Sequence, residues 1–228
     1  MTDVPVETVL FDLDDTLCTY RRSGAELLSL AFDRVGVEPF FEVETYYGRY
    51  ERYVDDSDGV VDLRERCFAD IAAERGRDPG VGRAVARAYA DERDHSNVDP
   101  LPGAVETVER LAGEYRLGLV TNGAPGMQRQ KLDGLSFGDA FETVVYAGYE
   151  VPAKPAPEPF ERALADLDAH PERAVHVGNS PSADVDGAHA AGLRAALLPD
   201  GPPTETAGEP DYILDSLSDL TAPPWDAA

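Results

Sequence analysis

The stretch Val9-Leu10-Phe11-Asp12-Leu13-Asp14-Asp15-Thr16-Leu17 constrains this chain more than any other. An apolar run stops abruptly in three acids and a threonine. A short apolar run bounded by polar residues reads as a buried strand of a parallel sheet. The acids then fall at its carboxyl end, where open α/β sheets place their ligands. Asp12 and Asp14 alternate along the strand, so both carboxylates can lean to one side. Two carboxylates this close need a counter-charge. A divalent metal supplies it most simply, and one of the two acids is then available as a nucleophile.

Behind that strand the rhythm of the chain changes twice. From about Cys18 to Asn97 the apolar spacing is helical, with helices expected over residues 25–35, 40–54, 60–73 and 81–89 and no strand among them. Pro100-Leu101-Pro102-Gly103 closes this segment. Strands are then expected at residues 116–121, 141–146, 174–178 and 194–198, with an edge strand at 212–214. Between them fall helices at residues 104–111, 126–135, 157–167 and 182–192, and a loop at 201–210. Strands alternating with helices imply the α/β class with a doubly wound parallel sheet. The expected organisation is a Rossmann-like catalytic core of residues 1–17 and 98–228, with an α-helical domain of residues 18–97 inserted after the first strand.

Each later strand ends in polar or small residues. The second delivers Thr121-Asn122-Gly123, Lys154-Pro155 follows the third, and the fourth delivers Gly178-Asn179-Ser180 with Asp184 shortly after. Together with Asp12-x-Asp14-x-Thr16, and in this order, the four motifs resemble the haloacid dehalogenase-like (HAD) hydrolase superfamily. The resemblance covers nearly the whole chain. The helical insert is similar to that family's α-helical cap of the first type.

The resemblance implies a phosphatase chemistry that the residue types support. Asp12 would attack phosphorus and form an aspartyl-phosphate. Asp14 would protonate the leaving alcohol and then deprotonate the hydrolytic water, while its backbone carbonyl binds metal. Thr121, with backbone N–H groups around Asn122 and Gly123, would bind phosphate oxygens. Lys154 would hold the nucleophile and the phosphate as a compact point charge. Mg²⁺ would neutralise the repulsion between carboxylate and phosphate, with Asp12, Asp14, Asn179 and Asp184 as its ligand set. Asn179 departs from the family's usual Gly-Asp at the start of the fourth motif. An amide oxygen still suits Mg²⁺, with Asn179 direct and Asp184 direct or water-mediated. Thr16 is expected to fix the turn after the strand.

The expected activity is therefore Mg²⁺-dependent hydrolysis of a small phosphorylated metabolite. A cap closing over such a site would exclude water and large substrates. A 2-haloacid dehalogenase or a sugar-phosphate mutase shares the fold. The dehalogenase tolerates Asn after the fourth strand but has no leaving alkoxide to protonate, so Asp14 argues for phosphate. A non-catalytic binding protein on the same scaffold is favoured only by Asn179. In the helical domain, Arg21 and Arg22 are candidates for an anionic substrate group. Tyr46, Tyr50 and Tyr53 read as domain core, and His176, inside a strand, as a core histidine.

Composition bears on partners and setting. Asp+Glu number 44 against Lys+Arg 20, a formal charge of -24 spread along the chain, and Lys131 and Lys154 are the only lysines. This resembles proteins of salt-loving microbes, in which molar salt screens self-repulsion within about 3 Å. Such a field repels phosphate backbones, so no nucleic-acid partner is expected. No apolar run reaches a membrane span and no signal pattern opens the chain, so the expectation is a cytoplasmic protein without membrane contact. Cys18 and Cys67 have no metal spacing and read as reduced core residues.

Overall fold

β1 (Thr8–Phe11) is buried along its whole length because it has neighbours on both edges and layers on both faces. The computed structural model describes residues 4–53, 56–199 and 208–226. β1 lies in a six-stranded sheet with β4 (Arg116–Asn122), β5 (Thr143–Ala147), β6 (Ala174–Gly178), β7 (Arg194–Leu197) and β8 (Tyr212–Ile213). The strand order is β5-β4-β1-β6-β7-β8, and every pairing is parallel. The order runs outward in both directions from β1. The crevice at its carboxyl end is therefore the switch point where doubly wound sheets bind ligands.

Two layers cover this sheet, as the alternation of side chains requires. Val9 and Phe11 join a cluster with Val108 and Leu111 of α5 (Ala104–Leu111) and with Leu217, Leu220 and Trp225 near the carboxyl end. Leu10 points the other way, into a cluster with Phe160, Ala163 and Leu164 of α7 (Glu158–Asp166). The apolar strands are continuous because both faces are buried.

The chain divides into two compact units, one built from the segments up to Tyr20 and from His95 onward, the other Arg21–Asp94. The second unit is helical. It contains α1 (Gly24–Val35), the short α2 (Val43–Tyr47), α3 (Val60–Glu74) and α4 (Pro79–Glu92). Ser23 and Glu26 form a reciprocal capping box that starts α1. A Cβ at Gly82 would collide with the Phe68 carbonyl, so glycine permits the close approach of α3 and α4. Tyr46 is buried and packs edge-on against Phe68 and Tyr89, with Tyr50 beside it. The tyrosine stripe is thus part of this unit's core. Buried Arg64 lies over the Tyr89 ring at 4.7 Å.

Four expectations change. Residues 18–97 are not all helical, because β2 (Cys18–Tyr20) pairs antiparallel with β3 (Val98–Pro100). Three-residue strands carry too little alternation to be read from sequence. The single helix at 40–54 is α2 followed by a 3₁₀ turn at Tyr50–Tyr53, and residue 54 lies outside the described residues. Gly48 intervenes, and glycine costs a helix about 1 kcal/mol relative to alanine. The third expected strand starts two residues late, as Phe141 instead packs edge-on against Phe11 at 6.3 Å. The helix at 182–192 is a wide π-helical turn, Pro181–Asp186, continued by α8 (Gly187–Ala190). The expected loop at 201–210 falls largely outside the described residues. Among the described residues, no helix is long and apolar enough to cross a membrane.

Candidate active site

A cleft of about 240 Å³ opens at the carboxyl end of the sheet, lined by Asp12, Asp14, Asp15, Thr121, Asn122, Lys154, Asn179, Ser180, Ala183 and Asp184. Asp12 follows β1 directly and extends its ladder, its N–H donating to Val177 O at 2.9 Å. Asp15 then turns the chain in the left-handed region (φ 55°), which aspartate tolerates better than most residues. Asp14, just ahead of this turn, lines the same cleft. Thr16 is fully buried, and its hydroxyl donates to Asn179 Oδ1 at 3.3 Å, tying the first turn to the one after β6.

Lys154 is the hub. Its Nζ donates to Asp12 Oδ1 at 2.8 Å, to Asp184 Oδ1 at 2.6 Å and to Val120 O at 2.9 Å. An ammonium has three protons, and all three are used. Burial alone would lower the Lys154 pKa, but Asp12 and Asp184 outweigh it and hold the group above its ordinary range. Asn122 fixes this lysine from behind. Its Oδ1 accepts from the Lys154 N–H at 2.9 Å, and its Nδ2 donates to the Lys154 carbonyl at 3.1 Å. The Asn122 side chain therefore serves the Lys154 backbone.

Asp184 is buried and fully engaged. Oδ1 meets Lys154 and, at 2.9 Å, His176 Nε2; Oδ2 accepts from the Ser180 N–H at 2.9 Å. Burial works against its charge, yet Lys154 and His176 hold its carboxyl below the usual range. His176 is fully buried, and that burial pushes its pKa down, keeping the ring neutral. Gly178 makes this packing possible, since a Cβ there would collide with the Asp184 carboxylate.

Asp12 is the electrostatically burdened group. Burial, and then the nearby Asp184 and Asp14, outweigh Lys154 and raise its pKa to about 6. Thr121 is buried at the end of β4 with its hydroxyl accepting from Gln128 Nε2 at 2.7 Å. Asp14 is held on both oxygens. Gln128 Nε2 donates to Oδ2 at 2.8 Å, and Lys131 Nζ pairs with Oδ1. Gln128 and Lys131 both lie on α6 (Pro125–Asp133), and the strand-end motifs include neither. The available signal was that the chain's only other lysine follows Thr121 by ten positions. Arg21 and Arg22 are exposed residues of the helical unit, with Arg22 3.7 Å from Glu92 of that unit.

A doubly wound parallel sheet whose central strand ends in a lysine-held carboxylate marks an α/β enzyme with its chemistry at the switch point. The haloacid dehalogenase-like hydrolase family matches residues 6–192, and the chain belongs to it: it is a hydrolase. It is 35% identical to the phosphoserine phosphatase of Thermus thermophilus over 249 aligned positions, spanning 94% of this chain and 98% of the relative. It is 31% identical to the pyrophosphatase PpaX of Bacillus cereus, with 94% of each chain covered. Among solved structures, a 2-haloacid dehalogenase from Pseudomonas syringae superposes with a TM-score of 0.68 at 28% identity, covering 95% of this chain and 97% of that one.

Proposed function

We propose that the chain is a Mg²⁺-dependent phosphatase that hydrolyses a small phosphorylated metabolite through an aspartyl-phosphate on Asp12. The observation that carries this reading is the pair of carboxylates in one cleft: Asp12 held by buried Lys154, and Asp14 two residues on. A halide leaves without a proton, whereas an alkoxide needs one, so the second acid has work only in ester hydrolysis. The phosphatase and pyrophosphatase relatives support the same chemistry.

In the first step an Asp12 oxygen bonds to phosphorus while the ester P–O bond breaks. Asp14 gives its proton to the departing oxygen. Thr121 and the backbone N–H groups beside Asn122 hold the phosphoryl oxygens, and Lys154 fixes the nucleophile and offsets its charge. In the second step Asp14 takes a proton from water, whose oxygen attacks phosphorus. Inorganic phosphate leaves and Asp12 is restored.

The cleft suits a cation. Four carboxylates and one ammonium line it, and burial with the neighbouring carboxylates disfavours the charge of Asp12. Among the described residues no three His, Cys, Asp or Glu side chains form a metal cluster, so the donor set needs neutral oxygens. Asp12, the Asp14 carbonyl and the Asn179 amide oxygen provide hard donors for Mg²⁺. Asp184, which also holds Lys154, completes the set directly or through water. When bound, Mg²⁺ supplies charge neutralisation between carboxylate and phosphate.

We assign Arg21–Asp94 as a type-1 helical cap, with Arg21 and Arg22 as candidates to meet an anionic group of the substrate. The acidic surface fits a protein that works in high salt. Asn179 and the similarity to a dehalogenase favour 2-haloacid dehalogenation as a second reading. Hydrolysis of p-nitrophenyl phosphate in high salt, with and without Mg²⁺, tests the assignment. Mg²⁺-dependent phosphate release supports it, and halide release from 2-chloropropionate without phosphatase turnover overturns it.

A further inference from the structure

Gln128 and Lys131 lie three residues apart on α6, so they share one face of the helix. Both are buried, at 1% and 3% exposure. They meet the two oxygens of a single carboxylate, Gln128 on Oδ2 of Asp14 and Lys131 on Oδ1. The Gln128 amide also reaches Thr121 Oγ1, so one NH₂ group ties the acid to the phosphate-binding hydroxyl. Lys131 Nζ sits 4.7 Å from the centre of the Tyr20 ring, and the Tyr20 hydroxyl is 2.6 Å from His95 Nδ1.

The Asp14 side chain is 36% exposed, open enough to rotate if nothing held it. One hydrogen bond leaves a carboxylate free to pivot, whereas two donors from one rigid helix face fix its plane. Composition points the same way. This chain uses arginine for every basic position but two, and both lysines hold carboxylates of the cleft. Lysine presents its charge as a compact ammonium with three rotatable donors, here placed on an Asp14 oxygen.

We propose that Gln128 and Lys131 are positioning residues that lock the Asp14 carboxylate relative to Thr121, aiming its proton at the leaving oxygen. This rests on the phosphatase reading above. The consequence is a dependence on leaving group. An ester that must be protonated to leave needs Asp14 aimed correctly; one that leaves as a stable anion does not.

The test compares phenyl phosphate with p-nitrophenyl phosphate, which share a shape and differ in the acidity of the phenol released. For Lys131→Met, kcat on phenyl phosphate is expected to fall about 100-fold, a typical acid–base contribution, and on p-nitrophenyl phosphate by less than about 5-fold, with KM unchanged on both. For Gln128→Leu, which also frees the Thr121 hydroxyl, the loss on phenyl phosphate is expected to exceed the loss on p-nitrophenyl phosphate by at least about 10-fold, and this ratio decides the matter if Lys131→Met does not fold. Equal losses on the two esters, or no loss on either, overturn the clamp while leaving the phosphatase reading intact. Failure of the unaltered protein to hydrolyse either ester removes that reading and the clamp with it.

Discussion

Lys154 and Asp12 form a buried ion pair, Nζ to Oδ1 2.8 Å, at the centre of the sheet. The same ammonium also carries Asp184 and the Val120 carbonyl, so one side chain links the ends of β1 and β4 to the turn after β6. Removing it strands two carboxylates in a site that burial already disfavours for charge.

Lys154→Met is therefore expected to lose stability by about 3–5 kcal/mol, the usual penalty for breaking a buried pair from one side. Urea unfolding in high salt measures it. Activity should fall by roughly 100-fold or more even where the variant is fully folded.

The raised pKa of Asp12 gives a stability prediction with a definite sign. Its folded value of about 6 lies above the ordinary 3.8, so the native state binds this proton more tightly than the unfolded chain. The site therefore costs stability increasingly as pH rises from about 4 to about 6, and the full cost persists above that. Asparagine mimics the protonated acid. After chelation of divalent metal, Asp12→Asn should be more stable than the unaltered protein at neutral pH by roughly 3 kcal/mol, with the gain vanishing near pH 4. Chemical denaturation at several pH values checks this. An equal difference at every pH would assign the effect to packing instead of charge.

Asn179→Asp adds a carboxylate to the cleft that Asp12 lines. If residue 179 contacts the metal, Mg²⁺ should bind roughly tenfold tighter or better, since affinity follows ligand charge. Calorimetric titration reads this directly. Unchanged affinity would remove Asn179 from the coordination sphere.

Much of the core was readable in advance because its strands are short apolar runs ending in chemistry-bearing residues. Asp12, Thr121, Lys154, Asn179 and Asp184 all line one cleft, as strand-end positions of a doubly wound sheet should. What escaped was contact made by atoms that sequence pattern does not address. Asn122 acts through the Lys154 peptide, not through a spacing. Gln128 and Lys131 look like the polar face of an ordinary helix until the fold buries them. The β2–β3 ribbon pairs residues about eighty apart over only three positions, too short for periodicity to report.

Charge sets the response to salt. Even if every basic residue were paired, 24 acids would remain unpaired, as the formal charge of -24 states. The exposed ion pairs, such as Arg34 with Asp91 and Glu92, weaken with salt but contribute little. Screening of the net repulsion should dominate. The midpoint of thermal unfolding is expected to rise by roughly 5–10 °C between about 0.1 M and about 3 M KCl. A flat or falling midpoint would contradict a surface adapted to salt.

The central claim is that Asp12 becomes phosphorylated. Acid quenching during turnover of p-nitrophenyl phosphate, followed by peptide mass mapping, tests it most directly. The expected result is one phosphoryl group on the peptide containing Asp12, and none in Asp12→Asn, which should also lose turnover. Phosphate release that survives Asp12→Asn, with no phosphoryl group on that peptide, would contradict it.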